Sequence, residues 1–135
     1  MGKDRYSRGL KTHKEIFGED AEQLVESLKD LSLDLERYTI EFPFGDIYRR
    51  PGLDLKSREI AVIAALTALG NAAPQLKAHI KGALNVGCSR EEITECILQM
   101  AVYAGFPAAL NGMFAAKEVF RERDEKGYKD TANHS

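Results

Sequence analysis

The stretch RRPGLDLKSREIAVIAALTALGNAAPQLKAHIKGALNVGCSREEITECILQMAVYAGFPAALNG, residues 49–112, decides the fold. Its apolar residues recur at helical spacing, and its punctuation is that of helix ends. Asp54 is a good N-cap for a helix over 55–69, which Gly70 ends. Pro74 suits the first turn of a second helix, which runs to residue 86 and stops at Gly87. Ser89 and Glu92 have the spacing of a capping box that opens a third helix over 90–104. Gly105 and Pro107 separate it from a fourth, over 108–123. One imidazole, His79, sits among these apolar helices. Such a ring is either a hydrogen-bonded core group or the chemical centre of the protein.

Outward from this stretch the same grammar continues. Residues 5–17 read as a helix closed by Gly18, and residues 21–31 as another, with Leu24, Val25, Leu28 and Leu31 at helical spacing. Ser32 caps a further segment whose expected apolar face is Leu33, Leu35, Tyr38 and Phe42. Pro43 should bend or break it, because proline lacks an N–H and clashes with the preceding turn. The polar tail, residues 124–135, is expected to fray. Strand signals are almost absent. The expectation is an all-α helical bundle of about six to seven helices, one domain over residues 1–135.

Residues 60–69 are apolar on every face, with alanine at 61, 64, 65 and 68. A helix apolar all round is buried all round, and a small bundle can seldom surround one of its own helices. Part of this helix is therefore expected to meet another subunit. Phe106, Pro107, Leu110, Met113 and Phe114 make a second candidate surface, so a homo-oligomer is expected.

Composition narrows the class. The 135 residues carry 19 basic and 21 acidic side chains without a basic stripe, which argues against nucleic acid as a partner. No apolar run approaches the ~20 residues a membrane span needs. The N-terminal residues lack the apolar core of a secretory signal, and two cysteines make no disulfide framework, so a reducing cytoplasm is expected. A lone central histidine without a His or Cys cluster argues against a metal site.

Several side chains are candidates for chemistry. Glu59, near the start of its helix, reads by itself as an acid stabilised by the helix dipole. It lies ~15 Å from the far end of that helix, and His79 ~7–8 Å into the next, so direct contact within one hairpin is not assured. Arg49, Arg50, Arg58 and Lys77 are candidate carboxylate clamps, arginine being favoured for bidentate binding. Tyr103 sits in an apolar run where its hydroxyl would need a partner, ligand or backbone. Cys88 lies just before a helix start, where amides and dipole favour a thiolate, and is the candidate redox residue. Cys96 reads as core, whereas His13 and His134 read as surface.

RPGLD (50–54), KSRE (56–59), HIKGALNVGCSREEI (79–93) and QMAVYAGFPAALN (99–111) together resemble the carboxymuconolactone decarboxylase family, and RYSRGL (5–10) resembles its decarboxylase branch. The resemblance implies an alkylhydroperoxidase D-like helical fold, assembled as a hexamer or a related trimeric ring with sites near subunit contacts. It also implies one of two chemistries. One branch decarboxylates 4-carboxymuconolactone. The other, similar to alkylhydroperoxidase D, uses a Cys-x-x-Cys pair with an upstream Glu and a downstream His. Registered on Glu59, those thiols would fall at Asn71 and Pro74, and the histidine at Ala78, one place before His79. The acid and imidazole are present and both thiols are missing, and a thiol peroxidase cannot run without its thiolate.

The expected function is therefore cofactor-free decarboxylation of a small lactone or keto acid. His79 would be the acid or enolate-oxygen donor, oriented by Glu59, with Arg58, Arg50, Arg49 and Tyr103 holding a carboxylate substrate. No cofactor or metal is expected. Two other readings stay open at this level: a peroxiredoxin of the alkylhydroperoxidase type, and a non-catalytic helical ligand-binding assembly.

Overall fold

A computed structural model describes residues 2–133. Those residues are helical with no strand. In chain order they form α1 (Gly2–Phe17), α2 (Ala21–Leu31), α3 (Leu33–Thr39), a π-helix (Ile40–Ile47), α4 (Leu55–Leu69), α5 (Ala73–Asn85), α6 (Arg90–Ala104) and α7 (Phe106–Lys126). They divide into two compact units, one up to Leu55 and the other from Lys56 onward. Among the described residues no helix is long and apolar enough to cross a membrane.

Helix starts follow local capping chemistry. Ser32 Oγ accepts from the Leu35 N–H and opens α3. At α6, Ser89 Oγ accepts from the Glu92 N–H at 3.0 Å while the Glu92 carboxylate accepts from the Ser89 N–H at 2.9 Å. That reciprocal pair satisfies two otherwise orphaned donors. Pro43 does not break its helix. The chain widens instead to the π pitch, and the Tyr48 N–H donates five residues back to the Pro43 carbonyl at 2.8 Å. The wider turn accommodates the ring and omits the bond that proline cannot make.

In the first unit α1 packs on the π-helix at backbone distance. A Cβ placed on Gly9 would meet the Ile40 carbonyl oxygen, and one on Gly45 would sit 2.5 Å from the Arg5 carbonyl oxygen. Backbone cannot swing aside as a side-chain tip can. Gly9→Ala is expected to destabilise the protein by about 1–3 kcal/mol, read as a lower urea midpoint. Arg5 grips Asp46 with two of its nitrogens, Nε at 3.2 Å and Nη2 at 2.7 Å, and holds that carboxyl below its usual range.

Two expectations for this unit are corrected. His13 is buried, its ring against Phe17 and Phe44 at centroid distances of 4.6 and 4.9 Å. His134 lies outside the described residues. Leu33, Leu35, Tyr38 and Phe42 face outward, between 48% and 69% exposed, while Glu36, Ile40 and Phe44 are buried. The inner stripe is set by a polar contact, because the Tyr6 hydroxyl donates to Glu36 at 2.6 Å. Burial and that carboxylate push the Tyr6 phenol up to about 12.

The second unit closes on a core of Ile63, Leu76, Ile80, Leu84, Ile93 and Ile97, with Val119 from α7. Gly112 lets α7 approach α4, since a Cβ there would lie 2.9 Å from Ile97 and 3.0 Å from Thr67. Of the tail expected to fray, the described part is tied down: α7 continues to Lys126, and a short turn follows at Thr131–Asn133. Asp130 is buried, taking Arg90 Nε at 2.7 Å and Arg123 Nε at 3.2 Å, and Arg90 also grips Asp124. The expectation missed this because the arginine partners lie far from Asp130 in sequence or one turn before the end of α7.

Candidate active site

α4 turns Glu59, Ile63 and Thr67 inward, one per helical turn, and leaves Ala61, Ala65 and Ala68 exposed. Across the loop at Gly70, whose φ of 77° suits glycine, α5 carries His79 beside buried Ile80 and Leu76. Glu59 and His79 are in direct contact. Nδ1 lies 2.8 Å from Oε1, with the glutamate side chain 0% and the histidine side chain 17% exposed. Counted from the loop, the two positions differ by only ~6 Å along their helices, an offset that the side chains themselves span.

With the carboxylate ionised, Nδ1 carries the proton and donates to Oε1. Any proton exchanged with a ligand then passes through Nε2. The second carboxylate oxygen, Oε2, is buried and has no hydrogen-bond partner among the described residues. Water-excluded surroundings strengthen the charge interaction between the two groups.

The remaining sequence candidates are distributed differently. Arg58 is half-buried on α4, directly before Glu59. Arg49 and Arg50 belong to the first unit and are exposed, and there Arg49 donates to Thr12 Oγ1 at 3.4 Å and pairs with Glu15 at 3.7 Å. Lys77 is committed to Glu118 at 2.5 Å. Tyr103 is 79% exposed, so its hydroxyl is not the buried group that its apolar run implied.

The cysteines offer no dithiol. Cys88 is fully buried, and its thiol donates to the Lys56 carbonyl at 3.6 Å, away from the exposed helix start that its position implied. Cys96 donates to the Ile60 carbonyl at 3.5 Å, and burial pushes its thiol up. A thiol titration of the native protein at neutral pH should therefore read well below the two thiols found after denaturation. Full and rapid titration would contradict this burial. Among the described residues no group of three or more His, Cys, Asp and Glu could hold a metal ion.

A cleft of about 740 Å³, which the sequence did not reveal, lies on another face of α4. Ile60, Ala64, Met100 and Phe106 form its apolar wall, and Glu92 and Glu95 its rim. Glu92 is already paired with Lys56 Nζ at 3.1 Å, and neither Glu59 nor His79 lines the cleft.

The sequence pattern of the carboxymuconolactone decarboxylase family matches residues 34–118. A 4-carboxymuconolactone decarboxylase from Acinetobacter baylyi is 35% identical over 119 residues, 87% of this chain and 88% of that one. A 15.0 kDa protein from Paracoccus denitrificans is 39% identical over 88 residues, 64% of this chain and 66% of that one. The nitrosuccinic acid decarboxylase of Metarhizium robertsii is 28% identical over 131 residues, 95% of this chain and 90% of that one.

Proposed function

Because the chain belongs to the carboxymuconolactone decarboxylase family, we propose that it is a carboxy-lyase that removes CO2 from a small acid carrying its own electron sink, with His79 as the proton donor. The two relatives whose names give a substrate act on a carboxylated lactone and on a nitro dicarboxylic acid. In each compound the electron pair left by departing CO2 can be delocalised, onto the lactone carbonyl or the nitro group. The reaction then asks the protein for three services: a pocket for the acid, a donor at the oxygen where charge develops, and a proton for carbon.

The observation that carries this reading is the His79–Glu59 pair, 2.8 Å apart and almost wholly withdrawn from water. Glu59 is the positioning residue: it fixes the imidazole and stabilises its charged form. His79 supplies the proton or the donor, and one preorganised donor at a developing oxyanion is worth ~2.7–4 kcal/mol of barrier. Arg58, on the same helix as Glu59, is the candidate for the substrate's remaining carboxylate, with Tyr103 as a hydroxyl contact. Peroxide reduction is the weaker reading, since Asn71 and Pro74 stand where a thiol pair would be, Cys88 is fully buried, and partial burial pushes the Cys96 thiol up.

The working form is a homo-oligomer, hexamer or trimer. Val102, Tyr103, Phe106, Leu110 and Phe114 are all at least 50% exposed, an apolar extent a monomer rarely leaves in water. Two free cysteines suit a reducing cytoplasm. The decisive experiment offers the purified protein 4-carboxymuconolactone and nitrosuccinate and measures CO2 release. Turnover of at least one is expected. Release from neither at substrate saturation would overturn the reading.

A further inference from the structure

The geometry points to a second activity at the Glu59–His79 pair: reversible exchange of a carbon-bound proton, next to a nitro or lactone carbonyl group, in acids whose labile carboxylate has already departed. This inference rests on the decarboxylase reading in one respect, that His79 is the group which returns a proton to carbon.

A proton donor that protonates a delocalised carbanion must, by microscopic reversibility, be able to remove that proton again. Whether it does so at a useful rate depends on what holds the imidazole once it has given its proton away. Here Nδ1 stays tied to Glu59 Oε1 at 2.8 Å, in a carboxylate that is fully buried. Oε2 has no donor among the described residues, so no other hydrogen bond drains the carboxylate's charge away from the ring. That charge stabilises the imidazolium formed when His79 takes a proton back, as the acid of a catalytic triad does. The 17% of the His79 side chain that remains exposed gives the ring protons a route to solvent.

The step balances without any co-reactant. The C–H bond breaks, its proton passes to Nε2, and the electron pair moves into the nitro group or the lactone carbonyl as a nitronate or enolate. The ring exchanges its proton with solvent and returns one to the same carbon. No bond order, oxidation state or net charge differs between start and finish, and only the isotope records the event.

The test is run in deuterium oxide. Nitrosuccinate and 4-carboxymuconolactone are each taken through CO2 release, and the product is followed by proton NMR after the acid is consumed. Decarboxylation installs one deuterium. Continued conversion of the same carbon to its doubly deuterated form, about 100-fold or more above the protein-free rate, is the expected result. His79→Gln should abolish that excess. Glu59→Gln, which keeps an oxygen to accept from Nδ1, should retain the fold and slow exchange. His79-dependent CO2 release followed by exchange no faster than the blank would overturn the inference and leave the decarboxylase reading intact. If neither acid releases CO2, 3-nitropropanoate is supplied directly. Its His79-dependent exchange would then support the inference although the decarboxylase reading had fallen, and its absence would sink both.

Discussion

Replacing His79 with Gln is expected to lower the turnover number for CO2 release by about 10²–10⁴-fold, the usual contribution of a positioned general acid. Glutamine approximates the shape of the ring and can donate an amide hydrogen to Glu59 Oε1, so the buried carboxylate keeps a partner. What it cannot do is deliver a proton near neutral pH. The change therefore separates chemistry from packing: circular dichroism and the urea midpoint should move little while CO2 release collapses. Undiminished turnover would remove His79 from the mechanism. Glu59 refines the same experiment. Glu59→Gln preserves an acceptor for Nδ1 but drops the charge, whereas Glu59→Ala removes both. If Glu59 only aims the ring, the Gln variant should match the wild type. If its charge stabilises the imidazolium, the Gln variant should lose rate and shift its pH–rate profile.

Asp130→Ala is expected to be the most damaging substitution for stability, at about 3–5 kcal/mol. Its carboxylate is the shared acceptor for Arg90 and Arg123, whose side chains are 30% and 8% exposed. Removing it strands the Arg123 guanidinium, which among the described residues keeps its bond to Asn85 and its place over the Tyr128 ring. Arg90 is cushioned, because Asp124 still engages it at 2.8 Å. A double-mutant cycle between positions 123 and 130 should return a large coupling energy, and the cycle between 90 and 130 a smaller one. Equal couplings, or a loss below ~1 kcal/mol for Asp130→Ala, would mean the cluster is solvated more than its burial indicates.

The helices were legible where their ends are chemically local. α2, α4 and α6 occupy residues 21–31, 55–69 and 90–104, as apolar spacing indicated for the first and caps and glycines for the others, because such signals act within a few residues of themselves. What failed depended on partners remote in sequence. The outward turn of Leu33, Leu35, Tyr38 and Phe42 follows from Tyr6 reaching Glu36, thirty positions away. His13 read as surface because nothing nearby announces that Phe44 will cover it. Pro43 reads as a break in any account that allows only the α pitch. At the site, residue identity marked His79 and Glu59, but their contact depends on how two helices cross, which spacing along one helix does not encode. Arg49, Arg50, Arg58 and Tyr103 stand out in the sequence by residue type alone, and type says nothing of direction.

Glu59 and His79 lie twenty positions apart on consecutive helices of a single unit. Acid and imidazole are thus inherited together, on one short length of gene that recombination seldom divides. Crossovers on either side can exchange the surrounding sequence while this acid–imidazole contact passes on unbroken. On the proposed role of His79, whatever reshapes the sequence around the pair leaves its proton-handling contact in place.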